Sequence, residues 1–389
     1  MSSHASTPSP APVPLLDVNR GNAPLRAEIL AAITRVVDSG RFLHGPDCAQ
    51  LEKTIAELCG VEHAIACASG SDALLLALMA LDIGSGDEVI VPSFTFFATA
   101  SAVWRVGAKP VFADIDPVTF NLDPRAVARA VSPRTKAIIP VHLFGQCAEM
   151  DAIATVARHH GLHVIEDVAQ AIGAKYHGQP AGSMGEIGCL SFYPTKNLGG
   201  FGDGGLLTTR DNKLAERLRL YAAHGMSPRY YHKVVGINSR LDTIQAAVLN
   251  VKLTALAQWT SARQTSATRY DQLLAAASLQ NTLTLPKTSA GCEHVWNQYT
   301  VRVPHGRRDE IKQQLQAAQI GCEVYYPVPL HLQECFQSLG WREGSLPETE
   351  RACREVLSLP NFPELTAEEQ QTVVARLQAV CQKSQQSAA

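Results

Sequence analysis

The chain has 389 residues, of which 46% are hydrophobic, and this length predicts one large domain together with a smaller one. Its formal net charge of -2 gives no electrostatic reason to expect nucleic acid or a membrane surface as a partner, and favours a small-molecule ligand. The ten cysteines form no CxxC pair and no Cys/His cluster at metal-ligand spacing, so they indicate reduced thiols in a cytoplasmic protein without a metal site.

The two ends of the chain are of low complexity. Residues 1–14 are rich in Ser, Pro and Ala and lack both a basic patch and an apolar run, which predicts a disordered leader rather than a secretory signal. We predict a large domain over residues 15–260, a small C-terminal domain over residues 261–385 and a tail over residues 386–389. No apolar run reaches the roughly 20 residues of a membrane span, because the best candidate, residues 64–81, is interrupted by a polar turn.

The first half of the chain alternates between helical and strand-like patterns. Apolar residues recur at helical spacing over residues 25–39, 50–59, 73–81 and 98–106. Short apolar runs typical of buried strands cover residues 64–68, 88–92, 110–113, 137–141 and 163–167. The alternation predicts a mostly parallel sheet covered by helices on both faces, in which ligands bind at the carboxyl ends of the strands. Asp167 lies at such an end, and Phe96 lies in the loop after another strand.

A tight turn with the sequence Ser69-Gly70-Ser71-Asp72 joins the first predicted strand to its helix. The N–H groups at a helix start are unpaired and carry the positive end of the helix dipole, so this turn can bind a phosphate. The hydroxyl of Ser71 would add a further donor. The alternative is that Ser71 or Asp72 simply caps the helix.

One lysine, Lys196, lies between an aromatic segment that contains a proline and a run of glycines, and an apolar strand follows at residues 206–209. Glycines permit positive φ and close backbone approach, so the chain here can press the lysine amine against a flat partner. A partly desolvated lysine loses its proton more readily, and only the neutral amine attacks a carbonyl to form a Schiff base. The stretch therefore indicates a cofactor, with an ordinary surface lysine as the alternative.

The second half of the chain changes in character. A short helix is predicted at residues 214–221, and a long one from Thr243 to about Leu273. Beyond it, strands are predicted at residues 299–303 and 323–326, and helices at residues 309–319 and 364–382. This order predicts a small α+β domain.

Four features need one explanation: a lysine beside glycines, a carboxylate that ends a buried strand, a turn that can bind phosphate, and an aromatic residue after another strand. Pyridoxal phosphate requires an amine for its aldehyde, a carboxylate for its ring nitrogen, a helix N-terminus for its phosphate and a flat apolar partner for its ring. The corresponding residues are Lys196, Asp167, the turn Gly70-Ser71-Asp72 with Ser191, and Phe96. On its own, Asp167 would be better explained as a salt bridge or a helix cap.

The same segments resemble the motifs of the DegT/DnrJ/EryC1/StrS nucleotide-sugar aminotransferases. The similarity extends in order over nearly the whole chain from about residue 15, and such a match is far more specific than a lone glycine motif. The motifs that carry it lie at residues 69–74, 86–90, 140–146, 166–170, 191–205, 236–242 and 326–331.

The resemblance implies an α/β protein of the aspartate-aminotransferase-like fold type I, which forms a homodimer with two shared active sites. It implies that pyridoxal phosphate forms a Schiff base with Lys196 and that Gln170 packs on or near the cofactor ring. By the same resemblance, Ser71 and Ser191 bind the phosphate, and Asn238 reaches it from the other subunit. Ser71 stands where threonine is more usual, which keeps the hydroxyl.

The resemblance also implies a reaction in two halves. L-glutamate gives its amino group to the cofactor and leaves as 2-oxoglutarate, and a keto sugar then takes the amine, with the released Lys196 amine as the base that moves the proton. Family members that dehydrate sugars carry histidine at this position. Lysine therefore favours transamination, and a non-catalytic sensor or scaffold on the same fold would be expected to lack this lysine or Asp167.

The substrate contacts are less closely defined by the sequence. Arg240, Tyr231 and His232 are candidate contacts for a carboxylate or a sugar, and His331 for the nucleotide-sugar end; Arg240 has the alternative of an ion pair with Asp242 or another acid. The close spacing of Tyr231, His232, Gly236, Asn238 and Arg240 most resembles enzymes that aminate C3 of UDP- or dTDP-linked 3-keto hexoses or hexuronates, including those of O-antigen and lipopolysaccharide synthesis. Amination at C4 of a 4-keto-6-deoxyhexose is the alternative.

Overall fold

Twelve strands form within residues 12–386, the part of the chain that the computed structural model describes. In chain order they are β1 His63–Cys67, β2 Glu88–Pro92, β3 Lys109–Ala113, β4 Thr135–Ile138, β5 His163–Asp167, β6 Lys175–Tyr176, β7 Gln179–Pro180, β8 Ile187–Ser191, β9 Gly205–Thr209, β10 Cys292–Glu293, β11 Tyr299–Arg302 and β12 Val356–Leu359. Seven build the central sheet in the spatial order β1-β9-β8-β5-β4-β2-β3. Neighbours are parallel from β8 to β3, whereas β9 runs antiparallel to both β1 and β8. The predicted mostly parallel sheet is confirmed.

Helices alternate with the strands of the central sheet along the chain, as in an α/β protein. They are α1 Val18–Asn22, α2 Arg26–Ser39, α3 Pro46–Cys59, α4 Gly70–Ala80, α5 Ala98–Arg105, α6 Pro124–Ala130, α7 Met150–His160, α8 Asn212–Ala222, α9 Thr243–Leu253, α10 Leu256–Ala276, α11 Arg308–Ala317, α12 Pro347–Glu355 and α13 Ala367–Gln386. As predicted, α2 and α3 end at Gly40 and Gly60, whose φ angles of 64° and 63° lie in the left-handed region that ends helices. Between residues 12 and 386, no helix combines the length and the apolar character needed to cross a bilayer.

Two predicted elements differ from the structure. The long helix predicted from Thr243 is two helices, α9 and α10, because the N–H of Ala255 donates to Lys252 O at 3.1 Å, a tighter turn that interrupts the α-helical ladder. The strand predicted at residues 323–326 is reduced to a single bridge between Glu323 and Ser358. Prolines at positions 327 and 329 follow it, and they have no N–H to donate to a longer ladder.

One hydrophobic cluster joins the two predicted domains. Buried side chains of β11, α11, β12 and α13 pack with Phe94 and Phe144, which lie in loops beyond the central sheet, and Tyr326 packs against the cluster. The predicted boundary between residues 260 and 261 falls inside the continuous helix α10. The loops at the carboxyl ends of the central strands therefore lie against the C-terminal part of the chain.

The folded chain begins earlier than the predicted end of the leader. Residues 1–11 of that leader, like residues 387–389 of the predicted tail, lie outside the described residues. Val13, however, is buried, and its N–H donates to Gln319 O at 3.0 Å. The leader prediction is thus wrong for Val13, because this apolar residue joins the C-terminal core.

Candidate active site

Lys196 lies in the connection between β8 and β9, which are neighbours in the central sheet. Its backbone N–H donates to Tyr193 O at 2.9 Å, and the next residue, Asn197, donates from Nδ2 to Val295 O at 3.0 Å. Among residues 12–386, the half-buried Lys196 amine has no hydrogen-bond or ion-pair partner. Burial lowers the pKa of this amine, and the charge of Asp167 opposes that effect. The backbone around Lys196 is therefore fixed, while its amine is available for chemistry.

The glycines around Lys196 are required by space. A Cβ added to Gly199 would lie 2.4 Å from Pro194 O, and one added to Gly70 would lie 2.6 Å from Ser191 Cβ. Both distances are shorter than any van der Waals contact. The first contact closes the loop that carries Lys196, and the second brings the start of α4 against the end of β8.

Asp167 ends β5 and is buried. Its Oδ2 accepts a hydrogen bond from Thr99 Oγ1 at 2.9 Å, and its Oδ1 accepts one from Ala169 N at 3.2 Å. Burial raises the pKa of the Asp167 carboxyl, while the hydrogen bond from Thr99 and the charge of Lys196 lower it. Thr99 was missed by sequence reasoning, since a threonine in the first turn of an apolar helix carries no signal of its own.

The turn before α4 is left open for an anion. Its helix is capped by Ser69, whose Oγ accepts from Asp72 N at 3.1 Å, so the alternative of a cap by Ser71 or Asp72 is wrong. Within the described range, the N–H groups of Gly70 and Ser71 and the Ser71 hydroxyl have no partner. The Asp72 carboxylate instead accepts from Ser239 Oγ at 2.8 Å and so supports the turn. Unpaired N–H groups at a helix start are a phosphate site.

Aromatic and amide side chains lie beside this group. Phe96 is 58% exposed, and its ring centroid lies 6.4 Å from that of Tyr326. Gln170 is fixed at both ends of its amide, because Oε1 accepts from Phe144 N at 2.6 Å and Nε2 donates to Tyr326 Oη at 3.3 Å. Tyr326 lies in the motif at residues 326–331, but the sequence analysis assigned it no role. Tyr326 ends the strand predicted at residues 323–326 and precedes a proline, and neither feature indicates a role in a site.

A second set of predicted residues lies in the loop after α8. Asn238 and Arg240 line a cavity of about 530 Å³ together with Ser69, the cap of α4. Arg240 forms no ion pair with Asp242 or any other acid in residues 12–386, so the structural alternative for it is not observed. Tyr231 is 70% exposed, and the His232 ring donates from Nδ1 to His224 O at 2.9 Å. These residues therefore present polar groups to solvent.

His331 does not fit its predicted contact with the substrate. The ring is buried; its Nδ1 lies 2.7 Å from Ser93 Oγ, and its Nε2 lies 3.2 Å from Glu350 Oε1. Because the Glu350 carboxylate can only accept, the proton of the neutral ring lies on Nε2, and Nδ1 accepts from the Ser93 hydroxyl. Both ring nitrogens are thus occupied, and the prediction for His331 is corrected to a structural role.

The remaining residues form a set that fits pyridoxal phosphate. Four kinds of group lie at the carboxyl-end loops of the same sheet: an amine and two N–H groups that have no partner among residues 12–386, a buried carboxylate and an exposed aromatic ring. These are the groups that an aldehyde, a pyridinium nitrogen, a phosphate and a flat ring require.

Comparisons with known proteins support the same cofactor and identify related proteins. The model of the DegT/DnrJ/EryC1/StrS aminotransferase family matches residues 24–378. The chain is 52% identical to a pleiotropic regulatory protein of Geobacillus stearothermophilus, over 94% of this chain and 97% of that protein. It is 45% identical to a UDP-N-acetyl-3-dehydro-alpha-D-glucosamine 3-aminotransferase of Acidithiobacillus ferrooxidans, over 96% and 98%. The crystal structure of Streptomyces venezuelae DesV with a ketimine intermediate superposes with a TM-score of 0.91 at 44% identity, over 95% of this chain and 98% of that one.

Proposed function

Because the chain belongs to the DegT/DnrJ/EryC1/StrS aminotransferase family, and is thus a sugar aminotransferase that depends on pyridoxal phosphate, we propose that it aminates C3 of a UDP- or dTDP-linked 3-keto hexose or hexuronate with L-glutamate as donor. The observation that carries the proposal is the Lys196 amine, which has no partner in the described part of the chain and lies near Asp167 and the open turn of α4. C3 is supported by the relative whose name specifies a 3-aminotransferase. A non-catalytic sensor would have no use for such an amine.

We assign the residues that hold the cofactor as follows. Lys196 takes its aldehyde, Asp167 its ring nitrogen, and the N–H groups of Gly70 and Ser71 its phosphate, with Ser191 beside them. Phe96 and the Gln170 amide flank the ring. The bound cofactor supplies a sink for the electron pair left when the donor amino acid loses its Cα proton. Asp72 supports the turn through Ser239 rather than contacting the phosphate.

In this proposal Lys196 is the base that takes the Cα proton of the amino donor. Burial favours its neutral amine, and a neutral amine can take the Cα proton of glutamate. The first half of the reaction leaves the amino group of glutamate on the cofactor and releases 2-oxoglutarate. In the second half Lys196 moves a proton in the opposite sense, so that this nitrogen ends on the sugar carbon. The ionised Asp167 carboxylate would lie opposite the ring nitrogen of the cofactor and stabilise the proton on that nitrogen.

We assign Arg240, Tyr231 and His232 to substrate recognition. Arg240 has no acid partner within the described residues and lines an open cavity, as a guanidinium that binds an external carboxylate should. We further propose a homodimer in which Asn238 completes the phosphate site of the other subunit. The exposed Phe42 and Leu43 beside this region support an interface.

We place the reaction in the cytoplasm, within the synthesis of amino sugars for O-antigen, lipopolysaccharide or another cell-surface polysaccharide. All ten cysteines are free thiols, which suits a reducing compartment. Both nucleotide sugars and glutamate are small, charged metabolites that such a compartment supplies.

The test is a coupled assay of 2-oxoglutarate release from glutamate, with UDP- and dTDP-linked 3-keto sugars beside their 4-keto counterparts. We expect turnover with a 3-keto sugar only, and the preferred nucleotide follows from the same comparison. Turnover with 4-keto sugars only would move the reaction to C4. A protein that holds cofactor at Lys196 but turns over neither class would overturn the proposed substrate class.

A further inference from the structure

The hydroxyls of Thr95 and Thr99 form a chain of hydrogen bonds that ends on the Asp167 carboxylate, and the proposed function uses neither hydroxyl. Thr99 Oγ1 donates to Asp167 Oδ2, and Thr95 Oγ1 lies 3.1 Å from Thr99 Oγ1. Both threonines are buried, at 2% and 0% exposure for Thr95 and Thr99. Both hydrogen bonds, from Thr95 to Thr99 and from Thr99 to Asp167, therefore form without competition from solvent.

The direction of this chain of hydrogen bonds follows from the chemistry of its end. A carboxylate only accepts, so the single hydroxyl hydrogen of Thr99 must point to Asp167. Thr99 Oγ1 can then only accept from its other neighbour, and the Thr95 hydroxyl must be the donor. Two hydroxyls that donate in series polarise one another, which strengthens the last bond to the carboxylate.

We propose that Thr99, supported by Thr95, is a positioning residue that orients and holds the ionised Asp167 carboxylate toward the ring nitrogen of the cofactor. The inference rests on the proposed assignment of Asp167 to that nitrogen. Thr99 and Ala169 N occupy one site on each carboxylate oxygen, which fixes the plane of the carboxylate and leaves the remaining lone pairs for the ring. Hydrogen bonds to charged acceptors are the strongest that a hydroxyl forms.

Other titratable groups face Asp167 and must be separated from this effect. They are Lys196, His142, Tyr326 and Cys189. His142 Nδ1 accepts from Ala148 N at 3.1 Å, so its Nε2 carries the proton and donates to Glu166 at 2.8 Å. These groups remain unchanged when a threonine hydroxyl is removed.

The experiment measures binding of pyridoxamine phosphate to the apoenzyme, since this form of the cofactor does not bond to Lys196. Thr99→Val keeps the shape of the side chain and removes the hydroxyl, and we expect a dissociation constant about tenfold higher. Thr99→Ser keeps the hydroxyl and should bind nearly as wild type. Thr95→Val should shift binding in the same direction by a smaller factor.

A second readout follows the visible absorbance of the enzyme loaded with pyridoxal phosphate. A ring nitrogen that is held less firmly in its protonated form makes the linked Lys196 nitrogen more basic, so the pH midpoint of the absorbance change should move upward in Thr99→Val. Thr300→Val is the matched control. Thr300 is equally buried and its hydroxyl lies 2.8 Å from Ser358 Oγ, in the β11–β12 pair away from the site. It should change neither readout.

Asp167→Asn separates the two proposals. If this variant binds pyridoxamine phosphate as wild type does, the assignment of Asp167 itself fails. If Asp167→Asn weakens binding and a folded Thr99→Val does not, only the positioning role is overturned. If Thr99→Val does not fold, the test passes to Thr95→Val. An unchanged affinity for pyridoxamine phosphate and an unchanged pH midpoint of the absorbance in Thr95→Val would overturn the proposal.

Discussion

At the scale of single residues, Lys196 offers the most direct prediction. Lys196→Ala should lower transamination by about 10²–10⁴-fold or more, since it removes both the bond to the cofactor and the proton carrier. Borohydride reduction followed by peptide mass analysis should find the cofactor on Lys196 in the wild type and on no lysine in the variant.

Lys252 is the control for this experiment. Burial lowers the pKa of its amine to about 8, and it packs near the rings of Phe201 and Trp259, yet it lies outside the proposed reaction. Lys252→Met should therefore retain the label on Lys196. A label on Lys252 in the wild type would mean that a lowered pKa alone selects the lysine.

His294 predicts how stability depends on pH. Its ring stacks on Trp296 with centroids 3.9 Å apart, and burial lowers its pKa from 6.5 to about 3. Above pH 6.5 the ring is neutral in both states; as the pH falls toward 3, only the unfolded chain takes up the proton, so stability is lost. The loss approaches about 1.4 kcal/mol per pH unit well below pH 6.5. We expect the free energy of unfolding, measured with urea at pH 7, 6 and 5, to fall less steeply with decreasing pH in His294→Gln than in the wild type. An equal dependence on pH in the two proteins would contradict this prediction.

The residues that sequence could place are those with a local signal. Lys196 stands beside glycines, Asp167 ends an apolar strand, and the α4 turn combines glycine with hydroxyls, so each is recognisable within a few residues. His331 was misjudged because its hydroxyl partner Ser93 is 238 residues away in sequence. Thr99 and Tyr326 acquire their roles only from packing across elements, which a local pattern does not record.

At the scale of elements, the contact between α4 and β8 should control the phosphate site. Gly70→Ala places a methyl group 2.6 Å from Ser191 Cβ and must push the two elements apart. We expect pyridoxamine phosphate to bind at least tenfold more weakly, as measured by titration of the apoenzyme. Gly84→Ala is the control, because its nearest atom, Val106 O, lies at an ordinary 3.6 Å. Equal affinity in the two variants would show that the contact is not required.

Elements with a strong period were predicted well, and those shaped by tertiary context were not. The strands at residues 88–92 and 163–167 have the bounds that the sequence predicted. The break between α9 and α10 was missed because an apolar helical pattern continues through it, and the tight turn depends on backbone bonds that residue types do not reveal. The strand expected at residues 323–326 fails for want of a partner beyond Ser358.

At the scale of the whole molecule, mixed dimers can test how the sites are shared. Asn238 lies beside Ser69 of its own chain, and the proposed dimer has it serve the partner's site. Lys196→Ala and Asn238→Asp chains are each expected to be nearly inactive alone, the latter because a carboxylate repels phosphate. If Asn238 acts across the interface, a dimer of the two has one intact site, and activity should return on mixing after co-refolding. No recovery from a confirmed mixed dimer would place Asn238 in its own subunit's site.

The position of β9 sets the order in which this site can be built. The turn of α4 follows β1 and Ser191 ends β8, but β9 lies between those two strands and pairs antiparallel with both. During synthesis the phosphate site formed by the α4 turn and Ser191 is therefore incomplete until Thr209 has left the ribosome and β9 has inserted between β1 and β8. Pairings so distant in sequence form late in folding. The time at which the chain first binds the cofactor therefore reports when the central sheet is complete.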